Sequence, residues 1–352
     1  MFGYHGRVLV INLTTRTSRW DLLPQKVLQK YLGGTGLGAY LLYQYCPTGA
    51  DPMGEYNPLI LVTSPLVGSK ITTTSKFAIV TKSPLTGFIG DSISSSYLAT
   101  ELKAAGCDAL IITGRSRKPI YIYIDNGDIQ FLDANHLLGN TTIDTERAIK
   151  DSFGSKVRVA CIGPAGENGV LFASIANDGG RLAGRTGTGA VMGSKNLKAI
   201  AVKGSQTVHA YDHTALIPTR NDLSRRSLGP ATEKYRGLGT IANMSVFNRL
   251  AVLPTYNFQR STFDQAESIS GETIQRDHFT KSSHCANCTI GCEKIVTTTD
   301  SDNSSTARME YESAFALGPL LGISDPNVVI RATRYCDETG MDTISTGVTI
   351  AW

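Results

Sequence analysis

The chain has 352 residues, of which 41% are hydrophobic and 18% are charged, so it is long enough to bury the cores of two domains. Its net charge is only +4 and acidic and basic residues are interspersed, which argues against a nucleic-acid partner. No apolar run is long enough to span a bilayer, and the first residues lack the pattern of a secretion signal. We therefore expect a cytoplasmic protein without a membrane partner.

The first part of the chain, residues 1–207, is rich in short β-branched runs bounded by glycine and proline, which predict a sheet-rich domain. The predicted strands are Val8–Leu13, Leu59–Ser64, Phe77–Thr81, Ala109–Thr113, Ile120–Ile124, Ile129–Leu132, Val157–Ile162 and Ala199–Val202. Asn126 and Gly127 lie between two of these runs and predict a tight hairpin, because both residues adopt positive φ readily. Helices are predicted at Gln25–Leu32, Tyr97–Ala105 and Ile143–Phe153.

The second part of the chain, residues 208–352, lacks these β-branched runs. Helical patterns replace them, notably at Glu310–Leu321 and Asp325–Asp337. The composition therefore predicts a domain boundary near residue 207 and an α+β protein whose second domain is helical.

Three of the seven cysteines lie within eight residues, at Cys285, Cys288 and Cys292. Thiolates at this spacing suit an iron–sulfur cluster with a fourth cysteine from elsewhere, or zinc with His284 or His278 as the fourth ligand. A redox Cys-x-x-Cys pair or three incidental buried thiols is the alternative. The odd number of cysteines argues against a disulfide framework and for a reducing compartment.

Glycine-rich stretches supply two further candidate sites. Gly34–Ala39 resembles a dinucleotide fingerprint but follows a helix-like segment, so a packed turn is expected there. Asn177–Gly193 contains several glycines together with Arg181 and Arg185, and guanidinium groups among exposed amides suit a phosphorylated cofactor. A glycine-rich turn with two surface arginines is the alternative for this second stretch.

A turn that contains two carboxylates follows the last predicted helix. Gly340 is placed to end that helix, and Asp337 and Asp342 flank it. Their oxygens could accept hydrogen bonds from a pterin or a purine, whereas an ordinary helix cap would need no ligand.

Several motifs together resemble the tungsten-containing aldehyde ferredoxin oxidoreductase family. The matching stretches are Gly6–Leu13, Thr81–Ile89, Glu101–Asp108, Ile162–Asn168, Gly184–Val202, Glu310–Ser313 and Asp337–Gly347. The resemblance implies a β-rich N-terminal domain of two sheets that forms the base of a bis-pterin site holding tungsten or molybdenum. It also implies that the three clustered cysteines are ligands of a [4Fe–4S] cluster, and that the helical domain is truncated here because chains of this family continue well past residue 352.

The resemblance also assigns roles to individual residues. The residues that resemble the family's cofactor-binding positions are Arg181, Leu182, Gly184 and Arg185 at the pterin phosphates, and Asp337, Met341 and Asp342 in its first pterin motif. Lys76 replaces an arginine that bridges cluster and pterin, and Glu312 matches a glutamate near the metal that could serve as a general base. Ile93 and Ser95 replace two residues near the phosphates and Mg²⁺, which leaves Mg²⁺ as an open candidate.

The implied function is the oxidation of an aldehyde to a carboxylic acid, with water as the oxygen source. Electrons are expected to pass through the metallopterin and the cluster to ferredoxin. Candidate protein partners besides ferredoxin are a polypeptide that supplies the remaining C-terminal half, or a second copy of the chain. The alternatives are a non-catalytic cofactor-binding or electron-transfer fragment and a zinc-binding structural module.

Overall fold

The computed structural model describes residues 1–300 and 304–352. The chain forms two compact units, one comprising Met1–Asn221 with Glu338–Gly340 and the other Asp222–Asp337 with Met341–Trp352. The sequence-based limits of two functional domains, 1–207 and 208–352, stay a prediction. No helix in the described part of the chain is both long and apolar enough to cross a membrane.

The first unit contains two six-stranded mixed sheets. The first sheet has the order β2-β1-β6-β3-β4-β5, and the second has the order β11-β10-β9-β12-β7-β8. Their strands are β1 Arg7–Asn12, β2 Thr17–Leu22, β3 Leu59–Val62, β4 Lys76–Lys82, β5 Ile89–Ser95, β6 Ala109–Thr113, β7 Ile120–Asp125, β8 Asp128–Asp133, β9 Arg158–Cys161, β10 Ile175–Asn177, β11 Arg181–Ala183 and β12 Leu197–Lys203. The predicted two-sheet architecture is therefore confirmed.

Side chains alternate between the two faces of each buried strand, and this alternation explains how the two sheets share a core. In β1, Leu9 and Ile11 belong to one hydrophobic cluster, whereas Val8 and Val10 belong to another on the opposite face. The cluster of Leu9 and Ile11 also contains Ile122 of the second sheet and Leu98 of the helix that follows β5. Both faces of the central strands are thus covered, as continuous apolar runs require.

Six helices accompany these sheets and a seventh follows them, namely α1 Gln25–Tyr31, α2 Gly34–Tyr45, α3 Tyr97–Ala104, α4 Thr142–Phe153, α5 Pro164–Glu167, α6 Thr188–Ser194 and α7 His213–Arg226. The predicted hairpin joins β7 to β8, with positive φ at Asn126 and Gly127. The predicted turn at Gly34–Ala39 is wrong, because α2 begins at Gly34. Gly38 is needed for close packing of α2 on the sheet. A Cβ there would lie 2.4 Å from Val80 Cγ2 and would keep the helix away from the strands.

The second unit is mainly helical, with α8 Glu233–Gly237, α9 Asn243–Arg249, α10 Gly271–Asp277, α11 Tyr311–Leu317, α12 Pro326–Thr339 and α13 Thr343–Ala351. Its core contains Met309, Phe315 and Ile330. The sequence predicted helices in place of strands in residues 208–352, but this region also contains three strands. An antiparallel sheet has the order β13-β14-β15, with β13 Phe279–Ser283, β14 Glu293–Thr297 and β15 Thr306–Met309. This sheet carries the cysteine loop.

Candidate cofactor site

The clustered cysteines lie in the loop that joins β13 to β14. The loop is closed by a hydrogen bond from Cys288 N to Cys285 O at 3.0 Å, and Ile290 N donates to Cys288 Sγ at 3.4 Å. All three cysteines are half-buried. A backbone N–H directed at a sulfur is one of the features by which proteins tune iron–sulfur clusters, so the loop fits the chemistry of such a cluster.

The thiols of Cys285 and Cys288 affect the pKa of the Cys292 thiol. Burial, followed by Glu310 and then by the Cys285 and Cys288 thiols, raises the pKa of Cys292 to about 11. Metal binding requires thiolates, so bound cations would have to offset this repulsion. No group of three or more His, Cys, Asp or Glu side chains within residues 1–300 and 304–352 is arranged to hold a metal ion. Zinc would need its ligands gathered around one ion, whereas Cys285, Cys288 and Cys292 would hold an iron–sulfur cluster through their thiolates.

The two histidines that the sequence offered as zinc ligands have structural contacts. His284 Nδ1 lies 3.0 Å from Cys288 O, and its ring covers Gly291, where a Cβ would lie 2.4 Å from His284 Cε1. His278 is buried, with Nδ1 at 3.1 Å from Thr297 O. Both rings therefore help to hold the loop and its strands.

In the first unit, the structure brings Lys76 and Arg181 to the same strand end. Lys76 is paired with Ser95 in the β4–β5 register, and Arg181 Nη1 donates to Ser95 O at 3.1 Å. The main-chain N–H of Arg185 donates to Ser92 Oγ at 3.2 Å, further along β5. Lys76 of β4, Arg181 of β11 and Arg185 after β11 therefore all lie beside β5, and this set of basic residues suits an anionic group.

Three of the six glycines of the second glycine-rich stretch serve packing. A Cβ at Gly187, Gly189 or Gly193 would lie 2.1, 2.4 or 1.9 Å from a backbone oxygen of a neighbouring segment. These three glycines are therefore explained by packing, and the interpretation of the stretch as a phosphate site stays a prediction. Leu182 and Gly184, both half-buried, remain between the two arginines.

The carboxylate turn forms the junction between α12 and α13. Asp342 is buried and caps α13, because Oδ2 accepts hydrogen bonds from Ser345 N at 3.0 Å and from Ser345 Oγ at 2.5 Å. Asp337 is also buried, and Met341 N donates to Cys336 O at 2.9 Å. The structure thus gives Asp342 a capping role in addition to its predicted ligand role.

The remaining candidate positions are exposed. Glu312 lies in the first turn of α11 with its side chain exposed, and Ile93 lies on the open face of β5. The environment of Glu312 in this chain is therefore not the closed, low-dielectric site that favours a general base. Its catalytic role stays a prediction.

Sequence reasoning missed Lys294 and the contact made by Ser95, which it named only as a replaced position near the phosphates. Ser95 orients Arg181 through a main-chain oxygen, which no side-chain motif can indicate. Lys294 is buried beside the cysteine loop although lysine is normally exposed. Its position two residues after Cys292 was the only signal in the sequence.

Comparison with solved structures places the fold among redox enzymes. The active-site complex BamBC of benzoyl coenzyme A reductase aligns with a TM-score of 0.86 and 27% identity, over 99% of this chain and 55% of that chain. The profile described as "Aldehyde ferredoxin oxidoreductase, N-terminal domain" matches residues 8–204, and the profile for domains 2 and 3 matches residues 223–352. The chain therefore belongs to the aldehyde ferredoxin oxidoreductase family, which confirms the resemblance seen in the sequence.

Curated relatives agree with this assignment. The tungsten-containing aldehyde ferredoxin oxidoreductases of Thermococcus kodakarensis and Pyrococcus furiosus are 42% and 41% identical to the whole of this chain. The WOR-like subunit of an aliphatic sulfonate oxidoreductase from Pyrococcus furiosus is 31% identical over 99% of the chain. The chain spans 58% of the length of each of these relatives.

Proposed function

We propose that the natural polypeptide carrying this chain oxidises an aldehyde to a carboxylic acid. The carbonyl carbon gains an oxygen from water, and two electrons and two protons leave. Sequence identity supports an aldehyde as the substrate. Relatives named as aldehyde ferredoxin oxidoreductases are 40–42% identical to this chain, whereas the aliphatic sulfonate oxidoreductase subunit is 31% identical and the benzoyl coenzyme A reductase complex is 27% identical. Ferredoxin is the proposed electron acceptor.

The residues of the first unit would hold the phosphate end of the cofactor. Arg181 is oriented by Ser95, and Lys76 lies on the paired strand, so both charges can meet an anion at the end of β5. Arg185, just after β11, adds an exposed side chain whose main-chain N–H is bound to Ser92 of β5. A bis-pterin centre of tungsten or molybdenum, when bound, supplies the two-electron redox chemistry. Leu182, Gly184, Asp337, Met341 and Asp342 are the other proposed pterin contacts.

The residues of the second unit would hold the iron–sulfur cluster, which supplies one-electron transfer. Cys285, Cys288 and Cys292 are its proposed ligands, supported by their common loop and by the hydrogen bond from Ile290 N to Cys288 Sγ. Glu312 is the proposed general base for water.

The proposal is tested by anaerobic purification of the natural polypeptide, followed by analysis for iron, tungsten, molybdenum and zinc. Aldehyde-dependent reduction of a viologen dye should accompany iron with tungsten or molybdenum. An aliphatic sulfonate and an aromatic coenzyme A ester serve as control substrates. Zinc without iron would contradict the cluster, and a metal-loaded protein that reduced the dye only with a control substrate would contradict the aldehyde assignment.

Arg185→Ala should lower the content of phosphorylated pterin while leaving the fold intact. A charge-assisted hydrogen bond contributes roughly 1.5–3 kcal/mol, so cofactor affinity should fall about tenfold to a hundredfold. The bond to Ser92 uses the main chain of Arg185 and is therefore kept in the variant. Pterin content is measured by fluorescence of its oxidation products, together with the melting temperature.

The matched control is Arg147→Ala, which removes another exposed arginine of the first unit that pairs with Asp144 at 2.9 Å. Pterin content in this variant should equal that of the wild type. Unchanged pterin in Arg185→Ala, combined with a lower melting temperature, would make Arg185 a structural residue.

A further inference from the structure

Lys294 is a buried lysine that supports the cysteine loop from β14. Its side chain is 2% exposed, and Nζ donates to Arg236 O at 2.5 Å, to Ser282 Oγ at 2.8 Å and to Gly291 O at 3.3 Å. These acceptors come from the end of α8, from β13 and from the cysteine loop itself. An ammonium has three N–H donors, so its hydrogen-bonding capacity is filled.

All three acceptors are electrically neutral. Within residues 1–300 and 304–352, Lys294 makes no ion pair with a carboxylate, and the adjacent Glu293 pairs with Arg308. Burying an ammonium without an opposite charge is costly even when it is fully hydrogen-bonded. The position therefore calls for a negative partner near Nζ.

The cysteine loop would supply that negative charge if its thiolates held a cluster. Lys294 follows Cys292 by two residues and contacts the carbonyl of Gly291, which precedes Cys292. Thiolates that hold an iron–sulfur cluster would place a lasting negative charge at this point.

We propose that Lys294 is the buried counter-charge of the iron–sulfur cluster and that it raises the cluster's midpoint potential. The inference rests on the proposed cluster at Cys285, Cys288 and Cys292. Reduction adds an electron to a cluster that is already negative, so a fixed cation nearby stabilises the reduced form more than the oxidised form. Lys294 is a positioning residue in this scheme, because its bonds also hold the loop against β13 and the end of α8.

The test is the midpoint potential of the cluster in the anaerobically purified natural polypeptide, followed by electron paramagnetic resonance. Lys294→Met keeps the length of the side chain and removes the charge. It should make the reduced form at least about tenfold less favourable, which equals a downward shift of 59 mV for a one-electron couple. Lys294→Arg should stay near the wild-type midpoint. Lys281→Met is the matched control, because Lys281 is an exposed lysine of β13 whose charge is screened by water.

Each outcome separates the inference from the proposed function. An unchanged midpoint in Lys294→Met, with normal iron content, overturns the inference and leaves the cluster in place. If Lys294→Met retains no iron, Lys294→Gln is measured in the same way. Loss of iron in both neutral variants but not in Lys294→Arg supports the counter-charge, whereas loss in all three shows a packing role. A wild-type protein without iron overturns the proposed cluster and this inference with it.

Discussion

Cys288→Ser is expected to remove most of the iron and most of the visible absorption from the anaerobically purified protein. Serine is a harder and more weakly acidic ligand than cysteine, and thiolates are the ligands that hold iron–sulfur clusters. Cys288 is also the cysteine whose sulfur accepts the hydrogen bond from Ile290 N, so the substitution changes both ligand and environment. Iron per polypeptide and the electron paramagnetic resonance signal of the reduced protein measure the effect.

Cys46→Ser is the matched control, because Cys46 is also half-buried but lies in the first unit, with Sγ 3.8 Å from Pro47 O. Its iron content should equal that of the wild type. If the triple substitution at Cys285, Cys288 and Cys292 left the iron content unchanged, the cluster assignment would be wrong. Equal iron loss in the control would point to general instability.

Strands with an unambiguous pattern were predictable from sequence. Ala109–Thr113 was predicted at the bounds that β6 has, and β1 differs from its prediction by one residue at each end. These runs are apolar on both faces and end at turn residues, so local composition and tertiary burial agree. The hairpin at Asn126 and Gly127 was predictable for the same reason, since the turn depends on the residues themselves.

Elements that depend on distant partners were not predictable. The strand β5, Ile89–Ser95, contains serines, a glycine and an exposed aspartate, and it is a strand because it pairs with β4 along its whole length. The glycines of α2 suggested a turn, yet Gly38 is required by the proximity of Val80, which lies 42 positions away in the chain. In both cases tertiary contact outweighs local propensity.

In the candidate site, too, residue types were predictable from the sequence and tertiary contacts were not. The cysteine spacing and the arginines were visible in the sequence, because ligand chemistry is carried by residue type. The partners that orient them, Ser95 for Arg181 and Arg236 O for Lys294, are main-chain atoms brought together by strand pairing and loop closure. Sequence patterns do not encode such atoms, so these contacts required the structure.

Asp108→Ala is expected to destabilise the first unit by about 3–5 kcal/mol, because it breaks a buried ion pair and leaves its cation alone. Lys103 Nζ lies 2.5 Å from Asp108 Oδ1, and both side chains are only 2% exposed. The carboxylate also accepts the main-chain N–H groups of His5, at 3.2 Å, and Gly6, at 2.7 Å. The substitution therefore removes partners from an ammonium and from two backbone donors.

The loss should depend on pH with a definite sign. Burial lowers the pKa of Lys103, and Asp108 opposes that effect, so the pKa should fall further in the variant. A lysine whose folded-state pKa lies below its unfolded value carries its full penalty below the folded pKa. The penalty disappears as pH rises toward the unfolded value of about 10.4. Urea unfolding at pH 7 and near pH 10 should therefore show a smaller deficit at the higher pH.

Two further variants complete this experiment. Arg147→Ala breaks an exposed ion pair of the same unit and should cost less than about 1 kcal/mol. Lys103→Met combined with Asp108→Ala should be more stable than Asp108→Ala alone, because the unpaired charge has been removed. A deficit in Asp108→Ala as small as that of Arg147→Ala, or a double variant less stable than the single one, would show that the buried charge of Lys103 is not what destabilises the protein.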